Sequence, residues 1–598
     1  MNGFELMAHF ASFCGIDFCV CAQKQIERKI SPYFSQKGIE LIVPISETSA
    51  SIIADGYARA SGKIGLVLCE EEVEKLITGV TSTWADKTPM IIISIVPEAS
   101  SNYDFAFERK VDFTQIFKTI TRWQKRIIQP DELLESLVQA VAEAVSWRGG
   151  PVFLEIALKV LEQKINLSEK ELSEFEKRIK RAKEPAKSLP SSKLIDQAFE
   201  LLARAQKPLI FSGGGVVRAG AVKELNQLAE IMQVPITSSM GGMGSALPTN
   251  PMYLGPPSYL SGEAFHYAIK NADVILAVGC VFSGLDGFGL PPLWSCSAQF
   301  IQVNIDPEHI AFNPPADLAL LGNAELVISE LLARAKNFKP SPKRKEWAQK
   351  LQRLNQEHRQ RIINEAKRDW EKIHPAQLVL ELKNLLRELD DFYAVLDGGN
   401  TCLWAGMLID LPGERRGFFP TGMGTLGSGL PMAIGVKKAV GESAPVVILS
   451  GDGSFLYSLQ EFETLLKYQL PIKVVIFNDS AWNMIRAGQV SFVGEVFGTE
   501  LPPSDYAEVA KSYGCFGAKV KKKEEIAPAL QSALSSDLPA VVDVDIDPDT
   551  IPDSLISFAM VEFEGAGFGM LDMLKSLLKG KIKLDIRLLN QLKYILKI

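Results

Sequence analysis

Asp452 and Asp479 bracket the stretch SGDGSFLYSLQEFETLLKYQLPIKVVIFND, residues 450–479, and their surroundings set what they could do. Two carboxylates beside a glycine turn and a helix N-terminus can hold a hard divalent cation together with a phosphate. The metal takes oxygen ligands, and backbone N–H groups take the anion. The order of the residues supplies the elements that would bring the pair together. An apolar strand from Val446 to Leu449 opens into Gly451-Asp452-Gly453, and a helical run follows with Phe455, Leu459, Phe462, Leu465 and Leu466 on one face. A second strand, Ile472 to Phe477, delivers Asn478-Asp479. In a parallel βαβ unit both strands end at one sheet edge, so the two acids meet there.

A Gly-Asp-Gly triplet alone is usually a surface turn; the whole pattern is far more specific. It resembles the thiamine-diphosphate motif of the family containing acetolactate synthase, pyruvate oxidase and oxalyl-CoA decarboxylase. The resemblance implies that Asp452, Asp479 and the Ala481 carbonyl hold Mg²⁺ or a similar ion, with Gly453 and Ser454 beside the diphosphate. The family usually carries Asn at the place of Asp479, so this chain adds one negative charge there. Asp397-Gly398-Gly399-Asn400-Thr401 is similar to the turn that contacts the diphosphate, which implies Gly399, Asn400 and Thr401 as cofactor contacts. GMGTLGSGLPMAIG, 422–435, resembles the loop that grips the pyrimidine: the Gly424 carbonyl would accept from the amino group, and Leu426 would wedge the cofactor into its bent form. AWNMIRAGQ, 481–489, resembles the stretch lining the substrate, implying Trp482, Met484 and Gly488, the last where biosynthetic acetolactate synthases often place Trp.

Near the N-terminus, Glu47 stands eight residues before Asp55-Gly56-Tyr57-Ala58-Arg59, as in the family's pyrimidine-binding domain. The resemblance implies that Glu47 is the catalytic acid that hydrogen-bonds the aminopyrimidine and drives deprotonation of the thiazolium carbon. An isolated Glu there would cap the following helix; the flanking match favours catalysis. Three loops of the same domain depart from the family. Cys21-Ala22-Gln23 replaces Pro-Gly-Gly, Cys69-Glu70-Glu71-Glu72 replaces Ser-Gly-Pro-Gly, and Phe107-Glu108-Arg109 or Glu108-Arg109-Lys110 stands for Phe-Gln-Glu. These loops face the reacting carbon in the family, so Cys21 and Glu70 are candidate substrate-lining residues. Buried acids there would repel a pyruvate-sized carboxylate and favour a larger, uncharged or cationic acceptor. The competing reading of the acids is a solvated helix start, where they meet the helix dipole.

At 598 residues the chain exceeds one core. Alternating short strands and helices read as α/β: three consecutive doubly wound parallel-sheet domains plus a short helical C-terminal tail. The boundaries fall at 1–160 (pyrimidine-binding), 161–192 (linker), 193–335 (central), 336–372 (helical connector), 373–550 (diphosphate- and metal-binding) and 551–598 (tail). In the first domain the strands are placed at Phe18 to Val20, Leu41 to Ile45, Ile64 to Leu68, Met90 to Val96 and Val152 to Ile156. The central domain resembles one that binds FAD in some members, ADP in others and nothing in many; Gly213 to Gly215 reads first as a tight strand-to-helix turn. The net charge of −7 argues against nucleic-acid binding, and eight scattered cysteines without metal spacing fit a reducing cytoplasm. No signal peptide or membrane span is evident; the basic, leucine-rich tail could touch a membrane surface, but packing against the subunit body is favoured.

The resemblance as a whole implies a thiamine-diphosphate-dependent, acetolactate-synthase-like enzyme that decarboxylates a 2-oxoacid and transfers the acyl unit to an acceptor. It also implies a homodimer or homotetramer with sites at the subunit interface. None of the five histidines sits where pyruvate decarboxylases carry their His-His pair. The alternatives are a CoA-thioester lyase or decarboxylase of the oxalyl-CoA type, a flavin oxidase, and a cofactor-binding subunit with decayed catalysis.

Overall fold

The computed structural model describes residues 1–70, 72–96, 111–291, 293–389, 391–442, 444–490, 495–552 and 554. The Phe107–Lys110 loop, Glu71 and the tail beyond 554 lie outside them. Three parallel sheets succeed one another along the chain. The first holds β1 (Phe18–Cys21), β2 (Glu40–Ile42), β3 (Gly65–Cys69), β4 (Met90–Val96), β5 (Trp123–Ile127) and β6 (Pro151–Ala157), in the order β2-β1-β3-β4-β6-β5. The second holds β7 (Pro208–Ser212), β8 (Ile236–Ser238), β9 (Val274–Val278), β10 (Gln299–Asn304) and β11 (Leu318–Leu321), ordered β11-β10-β9-β7-β8. The third holds β12 (Tyr393–Asp397), β13 (Gly417–Phe418), β14 (Val446–Gly451), β15 (Lys473–Asn478), β16 (Phe516–Val520) and β17 (Ala540–Asp545), ordered β13-β12-β14-β15-β17-β16. First and third sheets therefore share one topology.

Burial explains the strand sequences. β3, β4, β6, β7, β9, β12, β14 and β15 are apolar on both faces because helices cover both sides of each sheet. Sequence periodicity misses β5 (WQKRI) and β16 (FGAKV), edge strands with half-exposed polar residues. β2 stops at Ile42 rather than running to Ile45, because Pro44 has no N–H to give a sheet. The helical run after Asp452 is also divided, into Asp452–Phe455, a tight turn at Leu459–Glu461, and Phe462–Lys467. Phe455, Phe462 and Leu465 still enter one core, but Ser458 breaks the helix and turns Glu461 inward, where it is fully buried. Among the described residues no helix is long and apolar enough to cross a membrane.

The first and third domains share a core through two helices. Glu47–Ser61 packs its Ile52, Ile53 and Tyr57 against Leu430, Met432 and Ile434 of Gly429–Val440. The backbones nearly touch: a Cβ on Gly56 would lie 2.2 Å from the Met432 carbonyl oxygen, and one on Gly435 would lie 1.9 Å from that of Ile53. Gly435→Val should therefore destabilise by at least about 1–3 kcal/mol, the usual penalty of overpacking. Gly413→Ala, where an added Cβ meets nothing within 4 Å, should leave the thermal midpoint unchanged. Equal midpoints for the two variants would refute this close approach.

Candidate active site

The third sheet reverses its winding between β12 and β14, and ligands of open parallel sheets gather at the carboxyl ends of such strands. Gly451 of β14 is in register with Phe477 of β15, so Asp452 and Asp479 leave the sheet side by side. Both are held as poorly solvated acids. Burial, then repulsion from Asp479, pushes the Asp452 carboxyl up to about 7. Burial raises Asp479 to about 6 against the Asn483 amide, which donates to its Oδ2 at 2.6 Å. Ser480 follows in the left-handed region at φ 54°, and Ala481 bridges to Glu500. That bridge uses the Ser480 carbonyl and the Trp482 N–H, leaving the Ala481 carbonyl unspent. Among the described residues no three His, Cys, Asp or Glu side chains gather as a self-sufficient metal site. Two acids and one carbonyl could instead supply part of an oxygen shell for a cation, with a phosphate supplying the rest.

Around this pair the remaining candidates of the third domain assemble. Gly399 precedes the Asn400–Leu408 helix, and a Cβ there would strike the Met484 Sδ at 2.6 Å. A Cβ on Gly453 would lie 2.8 Å from the Trp482 ring. Trp482 and Met484 thus pack against the glycine turns while staying half-buried, whereas a Cβ on Gly488 meets nothing within 4 Å. Thr401 is buried with its hydroxyl facing Gly451. Both polar atoms of the Asn400 amide are buried without a hydrogen-bond partner among the described residues. Gly424 takes φ 59° in an exposed loop, and Leu426 is likewise exposed.

Asp397 ties these loops together, a role not inferred from the sequence. Buried at the end of β12, it accepts from the Gly427 N–H (3.1 Å), the Gly429 N–H (3.1 Å) and the Ser454 hydroxyl (2.6 Å). Ser454 also accepts from the Gly427 N–H at 3.0 Å. One carboxylate thereby fixes the pyrimidine-type loop, the 398–401 turn and the Gly-Asp-Gly turn relative to each other. The signal was available: an acid ending a buried strand, directly before Gly-Gly, at the switch point.

In the first domain Glu47 opens its helix, and its Oε2 lies 3.1 Å from the Lys75 ammonium. Lys75 also pairs with Glu72 at 2.7 Å; Glu72 sits at φ 53°, and the ammonium holds its carboxyl below the usual range. Glu70 pairs with Lys29 at 2.7 Å, and its N–H donates to the Gln23 side chain at 3.0 Å. The expected repulsion of a substrate carboxylate is thus corrected, because lysines neutralise both described acids of the altered loop. Cys21 is fully buried, as is Cys19, so its thiol packs in the core and does not face open space.

A second cavity, of about 410 Å³, lies where the three domains meet. The Gly213–Gly215 turn and Gly279 border it at the β7/β9 switch point, packed so closely that a Cβ on Gly213 would lie 2.1 Å from the Gly279 carbonyl oxygen. Arg59 is compensated there by Asp55 and Asp86, both at 2.7 Å. Among the described residues Arg218 and Arg415 donate only to backbone carbonyls, of Asp86 and Arg59, and burial lowers the pKa of both guanidiniums.

Family models for thiamine pyrophosphate enzymes match the chain three times: the N-terminal TPP binding domain at residues 1–116, the central domain at 195–331 and the C-terminal TPP binding domain at 397–544. A probable acetolactate synthase large subunit of Methanocaldococcus jannaschii is 30% identical over 522 residues, covering 84% of each chain. An acetolactate synthase of Arthrospira platensis is 30% identical over 529 residues, 84% of this chain and 86% of its own. The acetolactate synthase isozyme 2 large subunit of Escherichia coli K12 is 29% identical over 518 residues, 85% and 89%.

The acid pair generates a metal prediction. Asp452→Ala should weaken joint uptake of Mg²⁺ and a diphosphate ligand by more than about 100-fold, beyond the loss typical of an outer-shell partner. Asp479→Asn keeps an oxygen ligand and relieves the repulsion, so calorimetric titration should find its affinity equal to or tighter than wild type. Markedly weaker binding by Asp479→Asn would displace the second ligand from this position.

Proposed function

Because the chain belongs to the thiamine pyrophosphate enzyme family, alongside acetolactate synthase large subunits, we propose that it joins 2-oxoacids by decarboxylation and carboligation. In class terms this is an acyl-unit transferase. The observation that carries the reading is the repelling Asp452–Asp479 pair beside the partnerless Asn400 amide, a donor set short of one cation and one anion. Thiamine diphosphate, when bound, supplies a nucleophilic carbon and an electron sink. Mg²⁺ is the proposed cation, held by Asp452, Asp479 and the Ala481 carbonyl. Asn400 and the Gly399 and Gly453 turns would receive the diphosphate, and the Gly424 carbonyl and Leu426 would orient the pyrimidine. Glu47 would share a proton with the ring nitrogen, which has to displace Lys75 from the carboxylate.

Exposed apolar side chains surround this site, including Met423, Leu426, Tyr457, Ile485 and Phe497. A second copy of the chain would cover them, in a dimer or tetramer whose sites lie between subunits. The paired acids of the altered loop permit a small 2-oxoacid. The similar relatives are acetolactate synthases, so the CoA-thioester alternative is not favoured, and the intact acid pair speaks against decayed catalysis. For the three-domain cavity a nucleotide, ADP or FAD, is a second proposed ligand; Arg218 and Arg415, without a carboxylate partner among the described residues, support an anion there.

Two outcomes are expected. Glu47→Gln should bind Mg²⁺ and cofactor normally but slow exchange of the thiazolium C2 proton by about 100-fold or more, the scale of general acid–base catalysis; wild-type exchange in this variant would remove Glu47 from its role. Heat-released small molecules from the purified protein should include an adenine nucleotide, with visible absorbance separating FAD from ADP. A nucleotide-free preparation that also fails to bind added ADP or FAD would empty the cavity of this role.

A further inference from the structure

The turn that leads into Glu47 is held by the other cofactor-binding domain. After Ile42 the chain leaves the first sheet, and the N–H groups of Val43, Ile45 and Ser46 have no strand to pair with. Side chains of the third domain take them. The Tyr468 hydroxyl accepts from Val43 at 2.8 Å. Glu461 accepts from Ile45 at 3.2 Å through Oε2 and from Ser46 at 3.0 Å through Oε1, and the Thr464 hydroxyl donates to Oε2 at 2.6 Å. Glu461 and Ser46 stand 415 residues apart in the chain.

A fully buried carboxylate is costly unless donors fill it, and here they do. Only a carboxylate suits the three donors, because both of its oxygens accept. A glutamine would turn an N–H₂ group toward one backbone N–H and leave both unsatisfied. Ser46 is the residue before Glu47, so this contact sets where the Glu47 helix begins.

Resting on the proposed role of Glu47, we propose that Glu461 is a positioning residue for it: the segment downstream of the metal turn carries the activating glutamate at a fixed place. Displacing a catalytic group by about 1 Å can cost about 100-fold in rate, so a contact that fixes the preceding peptide bears on proton exchange. Glu461 is fully buried with its oxygens taken by Ile45, Ser46 and Thr464, so it acts through the peptide before Glu47.

The test uses the full-length protein. In the apoprotein, Glu461→Gln should raise amide hydrogen exchange at Ile45 and Ser46 by about tenfold while β14 and β15 amides stay protected. Loaded with Mg²⁺ and thiamine diphosphate, it should slow C2-proton exchange by about tenfold with affinity within about threefold of wild type. Tyr468→Phe, a milder change, should loosen Val43 and give a smaller slowing, and it serves if Glu461→Gln does not fold. Unchanged amide exchange in these variants overturns the proposal. So does faster amide exchange with C2 exchange at the wild-type rate. Wild-type C2 exchange in Glu47→Gln would strike the assignment of Glu47 itself, and this proposal with it, even with the amide result intact.

Discussion

The architecture depends on the contact of two helix backbones at Gly56 and Gly435. With side chains at those positions the Glu47–Ser61 and Gly429–Val440 helices could not approach so closely, and the shared core of Ile53, Tyr57, Leu430 and Met432 would open. That contact seats the first domain on the third, and the rest follows. It brings Val43–Ser46 within reach of Glu461 and Tyr468. It also brings Thr421 of the third domain to Asp86, the partner of Arg59 within the first, where the threonine hydroxyl donates at 2.7 Å.

Buried carboxylates serve in two opposite ways. Asp397 and Glu461 are filled by backbone N–H and hydroxyl donors: Asp397 ties the ends of β12 and β14 to the 427–429 loop, and Glu461 ties the third domain to the turn before Glu47. Asp452 and Asp479 lack such a set of donors: burial raises both carboxyls, and repulsion from Asp479 adds to the rise at Asp452. A saturated acid holds structure, whereas an unsaturated pair invites a cation. The contrast separates scaffold from site within one stretch of chain, because Asp452 opens a short helix and Glu461 closes the turn that follows it.

The α/β class and the three sheets were legible because buried parallel strands are unbroken apolar runs, as in VVILS and KVVIFN. The Gly-Asp-Gly turn between β14 and its helix was legible from its residue order. The edge strands β5 and β16 were not, since WQKRI and FGAKV carry no period that a half-exposed strand must show. Nor was the charge balance of the altered loop: Lys29 and Glu70 stand far apart in sequence, and only the packing of the first sheet joins them. Asp397 and Glu461 escaped notice for a related reason. Their partners are backbone N–H groups, which every residue except proline has, so no side-chain motif announces them.

The first and third sheets share one strand order, so each presents a switch point of the same kind, between β1 and β3 and between β12 and β14. The two edges are furnished differently. Cys21 and Cys69 end buried strands at the first, whereas Asp397, Gly451 and Asp452 stand at the other. One winding thus carries an apolar edge and an acidic one, and both can vary without disturbing the glycine seam, which has no room for a side chain at Gly56 or Gly435.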